Sequence, residues 1–133
     1  MAEPVFIAPP SERSDPSSGA EARGEQLVVG EWGGSHIGEV APLHVHNSDD
    51  ESWHVIEGRL RFRFADGERI AEAGSTVFVP AGVAHTFGNP GPGAVRYLII
   101  TSARLNALIS ELHQVPRDEH QAVFRKYDSE LLE

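Results

Sequence analysis

The sequence predicts an all-β fold, an antiparallel sandwich or barrel followed by short C-terminal helices. Arg59-Leu60-Arg61-Phe62-Arg63-Phe64 alternates without a break. Leu60, Phe62 and Phe64 share one face and the arginines the other, which is the period of a half-buried strand. From Gln26 to Ser102, Gly, Pro and Asp punctuate the chain about every 8–12 residues, the spacing of an all-β domain of short strands. After Ser102 the apolar period lengthens, with Leu105, Leu108, Ile109 and Leu112 at i, i+3, i+4 and i+7.

In chain order, residues 1–25 lack a core-building pattern. Pro4, Pro9, Pro10 and Pro16, with the Ser/Glu/Arg/Gly mixture of 11–25, read as an N-terminal arm that is extended or partly disordered. Val5-Phe6-Ile7 is the part of it able to dock as an edge strand. Residues 26–102 are expected to form the barrel. Leu27-Val28-Val29 opens it as a strand, Trp32-Gly33-Gly34 reads as a break, and His36 to Leu43 reads as extended, with Pro42 at an edge or bend. Asp66-Gly67 is a hairpin turn signal after the arginine strand. Thr76-Val77-Phe78-Val79 is a strand ended by Pro80, and Val95 to Thr101 is another. In the C-terminal segment, 103–133, the first helix faces the barrel or a partner subunit and Pro116 stops it. Asp118 to Leu132 is predicted as a second short helix.

Composition closes several functional classes. At 133 residues the chain suits one domain with a real core. Eleven Lys and Arg stand against 20 Asp and Glu, a net charge of −9, which argues against nucleic acid or an anionic membrane as partner. With no cysteine, disulfides, thiolate metal sites and Cys nucleophiles are excluded. No basic leader precedes an apolar run and no stretch approaches ~18 apolar residues, so a cytoplasmic protein is expected. Nucleophile elbows, phosphate loops and dinucleotide fingerprints are missing too. Seven histidines are the compositional oddity.

Two of them, His44 and His46, lie at i and i+2, so an extended strand presents both imidazoles to one side, spaced to share a metal. Glu51 follows five residues on, far enough for the chain to turn through Asn47-Ser48-Asp49-Asp50 and return a carboxylate. Asp49 and Asp50 themselves read as a solvated turn. Pro80-Ala81-Gly82 then turns the chain sharply before His85.

These residues sit in two patterns, G-x5-H-x-H-x4-E-x6-G at Gly38, His44, His46, Glu51 and Gly58, and G-x5-P-x-G-x2-H-x3-N at Gly74, Pro80, Gly82, His85 and Asn89. The sequence thereby resembles the cupin superfamily over about residues 27–101. At residue frequencies of about 5% each, ten matched positions arise by chance on the order of once in 10^13 placements. The resemblance implies a double-stranded β-helix, or jelly-roll barrel. It also implies one divalent transition metal ion (Fe, Mn, Zn, Ni or Cu) held by His44, His46, Glu51 and His85. Four such ligands leave one or two coordination positions open, the condition for catalysis. Glu51 is either a ligand or a catalytic acid/base.

Around that centre, parity selects further candidates. His36 shares the parity of His44 and is expected to line the substrate pocket. Trp53 is in phase with Glu51 and is expected to wall it. Phe62, Phe64 and Phe87 fill the barrel and shape the cavity, and Tyr97 can offer a phenol. His54 has the opposite parity and reads as packing or interface, while His113 and His120 read as surface residues. The resemblance implies a metal-dependent enzyme acting on a small oxygen-rich or aromatic molecule, by dioxygenase-like chemistry or as a Lewis-acid isomerase or cyclase. The second reading is a non-catalytic, metal-dependent small-ligand binder. A homodimer is expected, with Val5-Phe6-Ile7 and the Leu105/Leu108/Leu112 face offering apolar surface for isologous pairing.

Overall fold

The arginine strand forms as its pattern dictates. Leu60 and Phe62 are 1% exposed while the arginines point outward, and Arg63 meets Glu39 and Glu133, each at 2.7 Å. The structure, a computed structural model, describes residues 3–15 and 19–133; Pro16 of the arm lies outside them. The strands are β1 (Ala20–Arg23), β2 (Leu27–Gly34), β3 (Gly38–Glu39), β4 (His44–His46), β5 (Glu51–Glu57) and β6 (Arg59–Phe64). They continue with β7 (Gly67–Glu72), β8 (Thr76–Val79), β9 (His85–Asn89) and β10 (Val95–Ser102). Helices α1 (Ala103–Leu112) and α2 (His120–Lys126) and a last strand, β11 (Ser129–Leu131), complete the chain.

Two antiparallel sheets result among the described residues. One runs β1-β2-β10-β5-β8, the other β11-β4-β9-β6-β7 with β3 added to β9. From β4 onward the chain passes from one sheet to the other at nearly every turn, which is the winding of a double-stranded β-helix. Trp53, Val55, Val79 and Val95 of the first sheet meet Leu60, Phe62, Ala71 and Phe87 of the second, so the core lies between the sheets. Closure needs a glycine at 58. Its φ is +74, and a Cβ there would run into the carbonyl oxygen of Ala94.

Several expectations need correction. Val5-Phe6-Ile7 forms no strand: Phe6 is 92% exposed, and prolines on both sides remove the backbone donors an edge strand would need. The arm's pairing comes later, where β1 joins β2 from Ala20↔Glu31 to Arg23↔Val28. Trp32-Gly33-Gly34 is not a break but the end of β2, paired with β10 up to Gly34↔Val95. Only Gly38–Glu39 of the His36–Leu43 stretch is strand. The Asp118–Leu132 segment is helical from a 3-10 turn at Arg117–Glu119 through α2 and ends in β11, which pairs with β4.

Helix α1 ends before Pro116, and its predicted face is correct. Leu105 and Leu108 are at most 1% exposed, packed on Val123 and Phe124 of α2. Leu105 and Leu108 are therefore spent inside the chain, while Leu112 at the end of the same face is half-buried. His120, read as a surface residue, instead caps α1, its Nε2 lying 3.1 Å from the Leu112 carbonyl. Among the described residues, no helix is long and apolar enough to cross a membrane.

Candidate metal centre

Strand parity brings the centre together. His44 and His46 are the two buried ends of β4, with the half-buried Val45 between them on the other face. On one side of β4, His44 pairs across to His85 on β9; on the other, His46 pairs with Ser129 of β11. Glu51 opens β5 in the opposite sheet and reaches across the barrel. Its Oε1 lies 3.0 Å from His46 Nε2 and 3.1 Å from His85 Nε2. The donor atoms of His44, His46, Glu51 and His85 all lie within 4.8 Å of one another, and all four residues are buried.

The turns carrying these residues are locked to each other. Gly82 N–H donates to the His46 carbonyl (2.8 Å), and Ala81 N–H donates to Asp50 Oδ1 (2.8 Å). Asp49 is itself buried and accepts from the Ser102 hydroxyl at 2.8 Å, while Ser102 Oγ accepts from Leu105 N–H and so caps α1. The acidic turn is therefore not merely solvated. Its carboxylates tie the metal loop to the second motif and to the helix.

Each ring has its outward nitrogen assigned by a partner. His44 Nδ1–H donates to the Pro42 carbonyl (2.8 Å) and His85 Nδ1–H to the Val83 carbonyl (2.9 Å). A carbonyl only accepts, so both rings carry their proton on Nδ1. His46 Nδ1 faces Ser129 Oγ at 2.7 Å, and that hydroxyl has its own acceptor in the Tyr127 carbonyl at 3.2 Å. Its oxygen thus accepts from His46 Nδ1–H. All three Nε2 atoms are left as lone pairs turned inward.

This donor set fits a cation. The Nε2 lone pairs of His46 and His85 meet an acceptor oxygen of Glu51 at hydrogen-bond distance. With the rings in these tautomers that contact is repulsive unless both take a second proton or a positive ion lies among them. His44 beside them stays neutral: desolvation, then the neighbouring His85, pulls it down to about 4. For Glu51 burial pushes upward, but His46 and His85 outweigh it and hold the carboxyl well below its usual range. Three neutral imidazoles and one carboxylate suit a divalent transition metal.

Above the centre lies a cavity of about 340 Å3. It is lined by residues of β2, β10 and helix α1, by Phe124 of α2, and by His44, His46 and Glu51. Phe124 stacks on His46 (centroids 6.0 Å apart, 8° between planes) and meets His44 edge-on at 5.4 Å.

Residues 35–101, half of the chain, match the Cupin domain family. The chain belongs to the cupin family. Relatives with a named function match it only in part. Over 84 residues it is 24% identical to mannose-1-phosphate guanylyltransferase 2 of Escherichia coli O157:H7, covering 63% of this chain but only 17% of that enzyme. A sugar phosphate isomerase of Silicibacter pomeroyi DSS-3 superposes with a TM-score of 0.53 at 25% identity, over 58% of this cupin and 50% of the isomerase. An uncharacterised double-stranded β-helix protein of Klebsiella pneumoniae superposes with a TM-score of 0.56 at 25% identity, over 74% and 83% of the two chains.

Of the pocket residues predicted for this cupin, Phe87 and Tyr97 line the cavity. Trp53 and Phe62 do not: they are buried in the core, with Trp53 against His85 (5.7 Å) and Phe62 (5.1 Å). Parity was right for Trp53, but two residues advance a strand by roughly 6.6 Å, which sets the indole one layer beneath Glu51. Phe64 lines a different cavity with Ile70 and Phe78, and His36 is an exposed residue beside a smaller one of about 120 Å3. The strand that would have carried His36 in phase with His44 is interrupted on both sides of β3. His54 Nδ1 bonds Thr76 Oγ1 at 2.9 Å on the outer face, as its parity requires. Ser129, Phe124, Trp32 and His113 were missed as neighbours of the site.

Proposed function

We propose that this cupin is metal-dependent and acts on a small oxygen-bearing organic molecule held in the 340 Å3 cavity. The confrontation of the Nε2 lone pairs with Glu51 Oε1 is the observation that carries the reading. A divalent ion held by His44, His46, Glu51 and His85 would supply Lewis acidity or, if redox-active, electron transfer. Glu51 acts first as a ligand: its depressed pKa keeps it ionised, and a base so weak draws protons poorly. Its other oxygen, Oε2, has no hydrogen-bond partner among the described residues and is left to accept a hydrogen bond from a substrate hydroxyl. Leu108, Ile109, Leu112 and Phe124 exclude water from the cavity and hold an apolar body. Thr101 and Tyr97 offer hydroxyls that can orient substrate oxygens.

The test begins with metal analysis of the protein as purified. It continues with reconstitution by Fe, Mn, Ni and Zn, each assayed for oxygen uptake and for isomerised or cyclised product with catechols, enols and diketones. One equivalent of metal, lost in His44→Ala, together with turnover supports the proposal. Metal content unchanged in His44→Ala defeats the site. Stoichiometric binding across the panel without turnover would make the protein a metal-dependent ligand binder instead.

A further inference from the structure

The cavity's chemistry is more selective than its family membership. Among the described residues, its walls carry no lysine and no arginine. Arg23, in the neighbouring groove, is paired with Glu21 at 3.1 Å, and Glu21 adds a carboxylate to the cavity itself. Phosphate groups are held most tightly by cationic forks or ammonium groups, and the one cation proposed here, the divalent ion of the centre, would already share its charge with Glu51. The protein's net charge of −9 further disfavours such a group.

The walls instead carry aromatic rings and neutral hydrogen-bonding groups. Val28, Gly30 and Trp32 alternate on β2 and face Tyr97, Ile99 and Thr101 on β10, with Trp32 and Tyr97 directly paired. Phe87 meets Tyr97 edge-on at 5.6 Å. The Trp32 indole is seated by two glycines: a Cβ at Gly30 would lie 2.5 Å from its Nε1, and one at Gly19 2.5 Å from its six-membered ring. Even so the ring stays 43% exposed, an aromatic surface available to a ligand. The side chains of Tyr97, Thr101 and Asn106 make no hydrogen bond among the described residues. Burial holds the Tyr97 phenol up at about 12, so it remains a donor.

We infer that the ligand of this cavity is an uncharged ring compound with adjacent oxygens, its ring against Trp32, and that phosphorylated sugars are excluded. The ring uses the indole and the Tyr97/Phe87 wall, while its oxygens reach the His/Glu end and the free hydroxyls. The inference rests on the reading of this cavity as the substrate site, and it separates the protein from the phosphate chemistry named for two of its relatives.

The probes are 2,3-dihydroxynaphthalene, mannose 1-phosphate and inorganic phosphate, titrated at pH 7 into the full chain with and without one equivalent of zinc. Binding is read by calorimetry and by quenching of Trp32, whose signal is isolated by subtracting a Trp32→Phe variant, since the chain holds only two tryptophans. The diol is expected to bind the zinc form at least tenfold tighter than either phosphate compound. Trp32→Ala should weaken the diol about tenfold, and Trp32→Phe by less than threefold, with zinc content unchanged in both. Mannose 1-phosphate binding as tightly as the diol, or a diol affinity unmoved in Trp32→Ala, would overturn the inference. Diol binding sensitive to Trp32 in a protein that takes up no zinc would sustain the inference and defeat the metal-dependent function alone.

Discussion

Replacing Ser129 by alanine isolates one hydrogen bond of the centre. The backbone pairing of β11 with β4 survives the change, because His46↔Ser129 is a main-chain register. What disappears is the oxygen accepting from His46 Nδ1–H at 2.7 Å, between residues 4% and 3% exposed, where water has little access to replace it. Two outcomes are open to the ring. Keeping its proton on Nδ1 leaves a buried donor unpaired, at about 1–3 kcal/mol. Moving the proton to Nε2 satisfies it against Glu51 Oε1 at 3.0 Å but removes the lone pair that a metal needs. The metal-free protein therefore escapes most of the cost by changing tautomer, and the metal-bound protein cannot. Metal affinity should fall ~10–100-fold, about 1.4–2.8 kcal/mol, with metal-free stability changed by less than about 1 kcal/mol. Competition of zinc against a chelator measures the first, and urea unfolding in excess chelator the second. Ser129→Thr keeps the hydroxyl and should restore affinity. A zinc affinity within twofold of wild type in Ser129→Ala would refute the tautomer argument.

Three further outcomes follow from the same coordinates. Phe124→Ala removes a ring 3% exposed that joins α1 to the His44/His46 pair, and should cost ~3–5 kcal/mol in urea unfolding; under about 1 kcal/mol would mean that α2 carries little of the stability. Gly58→Ala combines a left-handed backbone with the Ala94 carbonyl and should destabilise by ~2 kcal/mol or more; a neutral change would show that the β5–β6 turn relaxes freely. Glu133 is held down at about 2, first by Arg63 and then by the Leu43 N–H. A lowered folded pKa means that this tether is intact above the ordinary carboxylate value of 4.5 and is lost as pH falls toward 2. Amide exchange at Leu131 and Leu132 should accelerate over that interval, earlier than at β9, and no such order would contradict the tether.

Much of the site was legible because strand parity is local. His44 and His46 face one way, His54 faces away from Glu51's side, and Leu60 and Phe62 enter the core, all as a period of two requires. Parity does not encode depth. Trp53 has Glu51's parity and still lies in the layer below, and Phe64 has Phe62's parity and opens on another cavity. The same limit explains the arm: an apolar triplet looks like a strand until prolines on both sides deprive it of donors.

The chain alone determined the alternation of the strands, the shared side of His44 and His46 and the face of α1, because each follows from spacing within a short window, while the barrel and the full ligand set with His85 came from the resemblance its two motifs carry. Only the tertiary fold decided who surrounds them. Ser129 reaches His46 across 83 positions, Phe124 covers both β4 imidazoles from a helix outside the barrel, and Gly19 of the arm makes room for Trp32. Those meetings depend on sheet order and on where a terminal strand adds itself. No local period records either one.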